Sequence, residues 1–276
     1  MKYPIVRVKT VDDVELQGMR LGEEVASSAH GLVIHLHGIW GNFYENPFID
    51  YFAEFYPRLG FVFLSANTRF HDGGSLTGRF ETCLADIQAW LDYAATSGYN
   101  SVILQGHSLG TMQAVYYMTS TQPTRLIKGL ILLAPVDHMT LYCTDNALIR
   151  EHRITQAKRL AAQDPDALVP KSFFDLWPLS ASTYLNLTDD VTNADVFPFR
   201  RGTLSETRLS YIRLPVFTAV GGDDFAAFPS ADAQIQQLTQ LPGVVATLIE
   251  GAPHNFAGYE QILLYRIEEW LSRVEF

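Results

Sequence analysis

SVILQGHSLGTMQAVYY, residues 101–117, is the stretch whose reading decides the fold. Val102–Gln105 is a short apolar run, as a buried strand makes. Thr111–Ser120 reads as a helix. Between them stands Gly106-His107-Ser108-Leu109-Gly110. A serine at a strand-to-helix junction must turn sharply in a strained backbone conformation, and flanking glycines let neighbouring chain pass close by. The turn lifts the hydroxyl above the sheet, and the helix N-terminus below it favours developing negative charge. This context makes Ser108 a candidate nucleophile.

Further apolar runs lie on both sides of this motif. Leu32–Gly38 (LVIHLHG), Phe61–Asn67 (FVFLSAN), Gly129–Pro135 (GLILLAP), Val216–Gly222 (VFTAVGG) and Val244–Gly251 (VVATLIEG) all read as buried strands. Ahead of them Ile5, Val6 and Val8, then Val14, Leu16 and Met19, predict a hairpin turning at Asp12-Asp13. Helical spacing runs through Pro47–Gly60, Phe80–Gly98 and Tyr259–Val274. Alternating β and α units predict an α/β fold, a mostly parallel sheet with helices on both faces. Only the segment Val136–Leu214 breaks the alternation. It holds one helical stretch, Asn146–Gln163, then turn-rich and aromatic sequence. We expect a core made of residues 1–135 and 215–276, with 136–214 inserted between two core strands as a lid.

A serine needs a base, and the base needs an acid to orient it. Of eight histidines, His254 is the best placed, in a turn-rich loop between the last strand and the last helix. His35 reads as a core residue, and His30, His138 and His152 have no motif around them. Two adjacent acids, Asp223 and Asp224, end the strand before it. The oxyanion needs amide donors. One is the N–H of Leu109, after the nucleophile. The second comes from His37-Gly38-Ile39-Trp40-Gly41, with Ile39 first and Trp40 next. Candidate substrate contacts are Trp40, Arg69, His107, Trp177 and Tyr184, and the aromatics among them suit a bulky substrate. Arg69 would meet a substrate carboxylate or phenolate, or else pair with a structural acid.

Composition bounds the partners. The 276 residues carry 20 Lys and Arg against 30 Asp and Glu, a net charge of −10. Such a surface repels phosphate backbones and anionic membranes, so no nucleic acid and no membrane partner is expected. No run approaches the ~20 apolar residues of a membrane span. Two cysteines make no disulfide framework, which with the lack of a signal-like start predicts a cytoplasmic protein. The expected partner is a small-molecule substrate, and a homodimer is left open. No metal or cofactor motif occurs, so none is expected.

Together the GHSLG elbow (106–110), the HGIWG loop (37–41), Gly221-Gly222-Asp223-Asp224 and Gly251-Ala252-Pro253-His254-Asn255 resemble the α/β-hydrolase superfamily. The resemblance implies the chain order Ser, Asp, His and takes Asp224, three residues after Gly221, as the acid, leaving Asp223 as a turn residue. Asn67–Gly74 (NTRFHDGG) and Gly251–Glu260 further resemble uncharacterised hydrolases related to fungal siderophore esterases of the fusarinine C type. Phe70 stands where that loop usually has glycine. The implied activity is hydrolysis of an ester, thioester or lactone through an acyl-enzyme. The alternatives are a non-hydrolytic enzyme, catalysing cyclisation, isomerisation or acyl transfer in the same pocket, and a ligand-binding protein on the same fold.

Overall fold

The computed structural model describes residues 4–22, 30–44, 47–121, 124–143, 146–173, 176–189 and 192–274. Its centre is an eight-stranded sheet. In chain order the strands are β1 (Ile5–Lys9), β2 (Glu15–Leu21), β3 (Gly31–Leu36), β4 (Phe61–Ala66), β5 (Val102–His107), β6 (Ile127–Leu133), β7 (Val216–Gly221) and β8 (Val244–Ile249). Across the sheet they run β1-β2-β4-β3-β5-β6-β7-β8. β1 and β2 pair antiparallel, β2 meets β4 antiparallel, and β3 to β8 are parallel.

Parallel strands must be joined by crossovers, and those helices cover both faces. That is why β3, β4, β5 and β7 are buried along their whole length. The strand period of two then sorts each run between two cores. Leu32, Ile34 and Leu36 of β3, with Leu104 of β5, enter one core. It holds the residues of α2 (Cys83–Thr96), α3 (Leu109–Ser120) and α7 (Ala231–Leu238). Val33 and Ile103 point the other way, toward α1 (Pro47–Arg58) and α8 (Glu260–Leu271). Cutting any of these fully buried side chains to alanine costs about 2–5 kcal/mol. β1 is a half-exposed edge that shows Arg7 and Lys9 outward, as edges that avoid further pairing do.

Strand register decides where the loops meet. Leu36 pairs with Gly106, and His107 with Leu133, so the loop after β3 lies against the β5–α3 junction. Gly221 pairs with Ile249, which sets the loops after β7 and β8 side by side. Ligands of open parallel sheets bind along this carboxyl edge.

The segment between β6 and β7 holds α4 (His138–Cys143), α5 (Ala147–Gln163) and α6 (Ala181–Thr188), with short 3-10 turns after them. Among its described residues no strand joins the sheet. Asn146 caps α5, its side chain accepting from the amides of Leu148 and Ile149, which is why the helix begins where the sequence suggests. Ser180 caps α6 in the same way. α6 is tied to the core: Asn186 accepts from the Phe80 amide at 2.6 Å and donates to Glu81, and Thr183 donates to Gly78 O. At the neck of the segment, buried Asp137 accepts from the Arg200 amide and guanidinium, and Arg200 also grips Asp195. No helix among the described residues is long and apolar enough to cross a membrane.

Candidate active site

Ser108 sits between β5 and α3 with φ 52° and ψ −117°, a left-handed conformation that costs a non-glycine residue about 1–3 kcal/mol. Backbone bonds on both sides hold it there. Its N–H donates to Leu133 O at 2.9 Å, and its carbonyl accepts from the amide and hydroxyl of Thr111. The glycines of the motif are steric requirements. A Cβ on Gly106 would lie 2.3 Å from the Gly110 carbonyl carbon, and one on Gly110 would lie 2.3 Å from Leu36 O. The strand-to-helix turn closes only because both are absent.

His254 lies in the loop between β8 and α8. Its Nδ1 is 2.8 and 2.9 Å from the two carboxylate oxygens of Asp224. Nδ1 therefore carries the proton and donates it to the carboxylate, which leaves Nε2 as the bare nitrogen. Asp224 is buried, and its carboxylate also accepts from the Ala226 amide at 2.8 Å. Neighbouring Asp223 is exposed, and its bond to Ala252 O runs through its backbone. Geometry thus separates the two adjacent acids, with Asp224 on His254 and Asp223 turned to solvent.

The loop after β3 passes close to the serine: a Cβ on Gly38 would lie 3.2 Å from Ser108 Cβ. His37 pins the loop, donating from Nδ1 to Gly38 O and accepting the Thr68 amide on Nε2. Burial holds His37 neutral, its pKa pushed down to about 4. Trp40 is left-handed, with φ 60°. Its amide donates to Ser75 Oγ at 2.8 Å, so it has no proton to offer an oxyanion. This removes Trp40 as the second choice of donor. The Ile39 amide has no acceptor among the described residues. The Leu109 amide opens α3 and so has no partner within the helix.

Ser108 and His254 open into one cleft of about 390 Å³, within the range of small-molecule sites. Gly38, Ile39, Trp40, His107, Trp177 and Phe225 are among its lining residues. His107 donates from Nε2 to His254 O at 2.9 Å, which fixes the backbone behind the second histidine. Burial pushes the pKa of His107 down to about 3.

Two candidate substrate contacts stand elsewhere: Arg69 takes the structural pairing offered as its alternative, and Tyr184 is corrected. Arg69 binds Asp86 through its amide and Nε and Asp12 through both terminal nitrogens, so it ties the β1–β2 turn to α2. Its guanidinium holds the Asp12 carboxyl well below the usual range. Tyr184 is fully buried on α6. There it packs on Phe173 at 5.3 Å between ring centroids and donates to Tyr142 O. Neither lines the cleft.

Sequence reading missed Phe225 and His138. Phe225 directly follows Asp224, and its ring lies 5.0 Å from that of His254. His138 opens α4, is 3% exposed and packs at a tilt against Tyr142, with 4.9 Å between ring centroids. Burial pushes its pKa down to about 3. Among the described residues, no group of three His, Cys, Asp or Glu side chains is placed to hold a metal ion.

No curated protein matches the chain by sequence. Solved structures match it in fold. Est1E from Butyrivibrio proteoclasticus is 16% identical over 98% of each chain, with a TM-score of 0.67. Siderophore hydrolase EstB from Aspergillus fumigatus is 16% identical over 99% of this chain and 98% of its own, at 0.68. The hydrolase GrgF from Penicillium sp. sh18 is 13% identical over 99% of both, at 0.73. The model of the alpha/beta hydrolase family matches residues 33–261, which takes in the parallel sheet, the elbow at Ser108 and the loop of His254. The chain belongs to the alpha/beta hydrolase family.

Proposed function

We propose that the chain is a serine hydrolase that cleaves an ester bond, or the related thioester or lactone, of a small organic substrate, using its own side chains throughout. The observation that carries this reading is the Asp224–His254 pair at 2.8 Å, with His254 opening into the same cleft as a serine held on a strained strand-to-helix turn. Ser108 Oγ attacks the carbonyl carbon while His254 Nε2 takes its proton. Asp224 stays ionised and stabilises the imidazolium. The tetrahedral oxyanion accepts from the amides of Leu109 and Ile39, two donors with no competing acceptor among the described residues. The C–O bond, or the C–S bond of a thioester, breaks as His254 returns the proton to the leaving alkoxide or thiolate. The acyl group remains on Ser108. Water then attacks it, giving its proton to His254, and the acid departs as Ser108 regains its hydrogen.

On the same reading, residues 136–214 form a lid over the cleft, with Trp177 as its contribution to the lining. The names of the fold neighbours, two of them an esterase-type protein and a siderophore hydrolase, support ester substrates as the first to try. A fluorophosphonate probe should add its mass to Ser108 in the intact protein and not to Ser108→Ala. Against a panel of aryl esters and thioesters, Ser108→Ala should lose about 10⁴-fold or more in kcat. Near wild-type hydrolysis by that variant would overturn the reading.

A further inference from the structure

A second hollow adjoins the cleft. It measures about 450 Å³ and is walled by Leu141, Phe173, Leu176 and Phe225, with Arg153 and Lys171 as its charged members. The partition between the two spaces is thin. Phe225 lines both, its ring 5.0 Å from that of His254, and Leu176 of the hollow is followed directly by Trp177 of the cleft.

We propose that this hollow is a subsite for a carboxylate carried by the substrate at a distance from the bond that is cut. The inference rests on the hydrolase reading above and names a substrate class for it: esters bearing a remote acid group. Three observations lead there. First, neither cation has an ion-pair partner among the described residues, and no carboxylate among them lines the hollow. On a chain of net charge −10, two such cations in one hollow form a local reversal of sign.

Second, Arg153 is preorganised. Its Nη1 donates to Phe173 O at 3.1 Å and to Tyr142 O at 3.4 Å, and its Nη2 donates to Ser172 O at 2.7 Å. Its Cζ lies 5.6 Å from the Phe173 ring centroid. Three carbonyls thus use three of the five guanidinium N–H groups and keep the full charge in place. The Nε–H and one Nη2–H are left over. Third, two spare donors on a planar fork match the two oxygens of a carboxylate, and Lys171 adds a mobile point charge. The apolar walls suit a hydrocarbon spacer between that carboxylate and the ester.

The test uses pairs of aryl esters, each a neutral alkanoyl ester and its counterpart ending in a carboxylate, over a series of chain lengths. Wild type should favour the carboxylate ester by about tenfold in kcat/KM at its best chain length, the scale of one charge-assisted hydrogen bond. Added salt should shrink that preference. Lys171→Gln and Arg153→Gln should each lose about tenfold on the carboxylate ester, through KM, and stay within about twofold on the neutral one. Lys171 makes no internal bond that folding needs, so it serves if Arg153→Gln loosens the segment. Equal losses on both esters, or a wild type that favours the neutral ester at every length, overturn the subsite. If wild type cuts neither ester and fluorophosphonate leaves Ser108 unmodified, the hydrolase reading fails instead. The subsite is then judged by calorimetric titration with glutarate: binding that both variants weaken supports it, and no binding overturns it.

Discussion

The cleft has two unlike walls. The floor is built from loops at the carboxyl ends of β3, β5, β7 and β8, and the segment 136–214 reaches the lining through Trp177. Of the six left-handed non-glycine residues described, four lie in or beside the floor, and the other two are Asp13 in the β1–β2 turn and Asp72 after β4. Trp40, Ser108, Ala134 and Phe256 all have φ between 51° and 60°, each shortly after a core strand. Among described residues of the inserted segment, the only left-handed residue is Gly202, for which the conformation is cheap. Strain persists only where surrounding structure over-determines it. The floor meets that condition through strand register, the Leu133–Ser108 bond and the clasp of His37. The segment above is pinned at α6 and at the Asp137–Arg200 pair, and it leaves α5 largely exposed. If the proposed lid is right, the floor holds the fixed geometry and the inserted segment selects among substrates.

The largest expected effect tests the floor. Asp224→Asn should cost roughly 10⁴-fold in kcat, since an amide at that place favours the wrong tautomer of His254. Asp223→Asn, one residue away and exposed, should stay within about threefold. Steady-state kinetics on both variants reads the result, and a dead Asp223 variant would reverse the assignment.

Two glycine substitutions set floor against segment directly. In Gly110→Ala the new methyl meets Leu36 O at 2.3 Å and His37 O at 2.9 Å, and both are backbone atoms that cannot swing away. We expect a loss of about 3 kcal/mol or more in urea unfolding. Gly202→Ala meets nothing within 4 Å and carries only the cost of its φ of 72°, about 1–2 kcal/mol. Similar losses in the two variants would erase the distinction.

Acid should find the floor as well. His35, His37 and His107 are buried neutral beneath the cleft, and His138 is buried neutral in the segment above, all with pKa values pushed down by burial. An unfolded chain titrates its histidines near 6.5. Between that pH and the folded values of about 4 for His37 and about 3 for His107 and His138, the unfolded state binds more protons. Stability is therefore complete above pH 6.5 and falls as pH drops, by at most about 1.4 kcal/mol per pH unit for each histidine. Urea midpoints at pH 7, 6 and 5 measure the slope. His138→Phe should remove one histidine's share and leave the floor's three. A flat profile from pH 6.5 to 5 would mean that these rings are not held neutral.

The floor was also the legible part of the sequence. Short continuous apolar runs with glycine ends can be read because local pattern and burial on both faces agree there, as at Leu32–Gly38 and Val102–Gly106. The GHSLG turn is legible because its glycines are demanded by contacts within the same motif. α4 and α6 were not, since α4 is a single short turn-rich element and α6 is held by Asn186 and Thr183 to partners about a hundred residues earlier. Arg69 and Tyr184 look like pocket residues by type, yet their surroundings come from chain far away: Asp12 and Asp86 for one, Phe173 and Tyr142 for the other.

The smallest expected effect concerns Trp177, and it decides whether the segment above does any selecting. Its indole lines the cleft while Ser108, His254 and their backbone supports belong to other elements. Trp177→Ala therefore removes apolar contact to bound substrate and leaves the nucleophile and its base in place. A large aromatic contact in a cleft of this size is worth about 1–2 kcal/mol, so KM should rise roughly five- to thirtyfold for bulky esters. Small acetyl esters, too short to reach the indole, should change little, and the rate of fluorophosphonate labelling should hold within about twofold. The split between bulky and small substrates is the signature, because a general loosening of the site would lower labelling and all substrates together. If both ester sizes and the labelling rate fall in parallel, Trp177 is holding up the floor, and the division of work between the two walls is wrong.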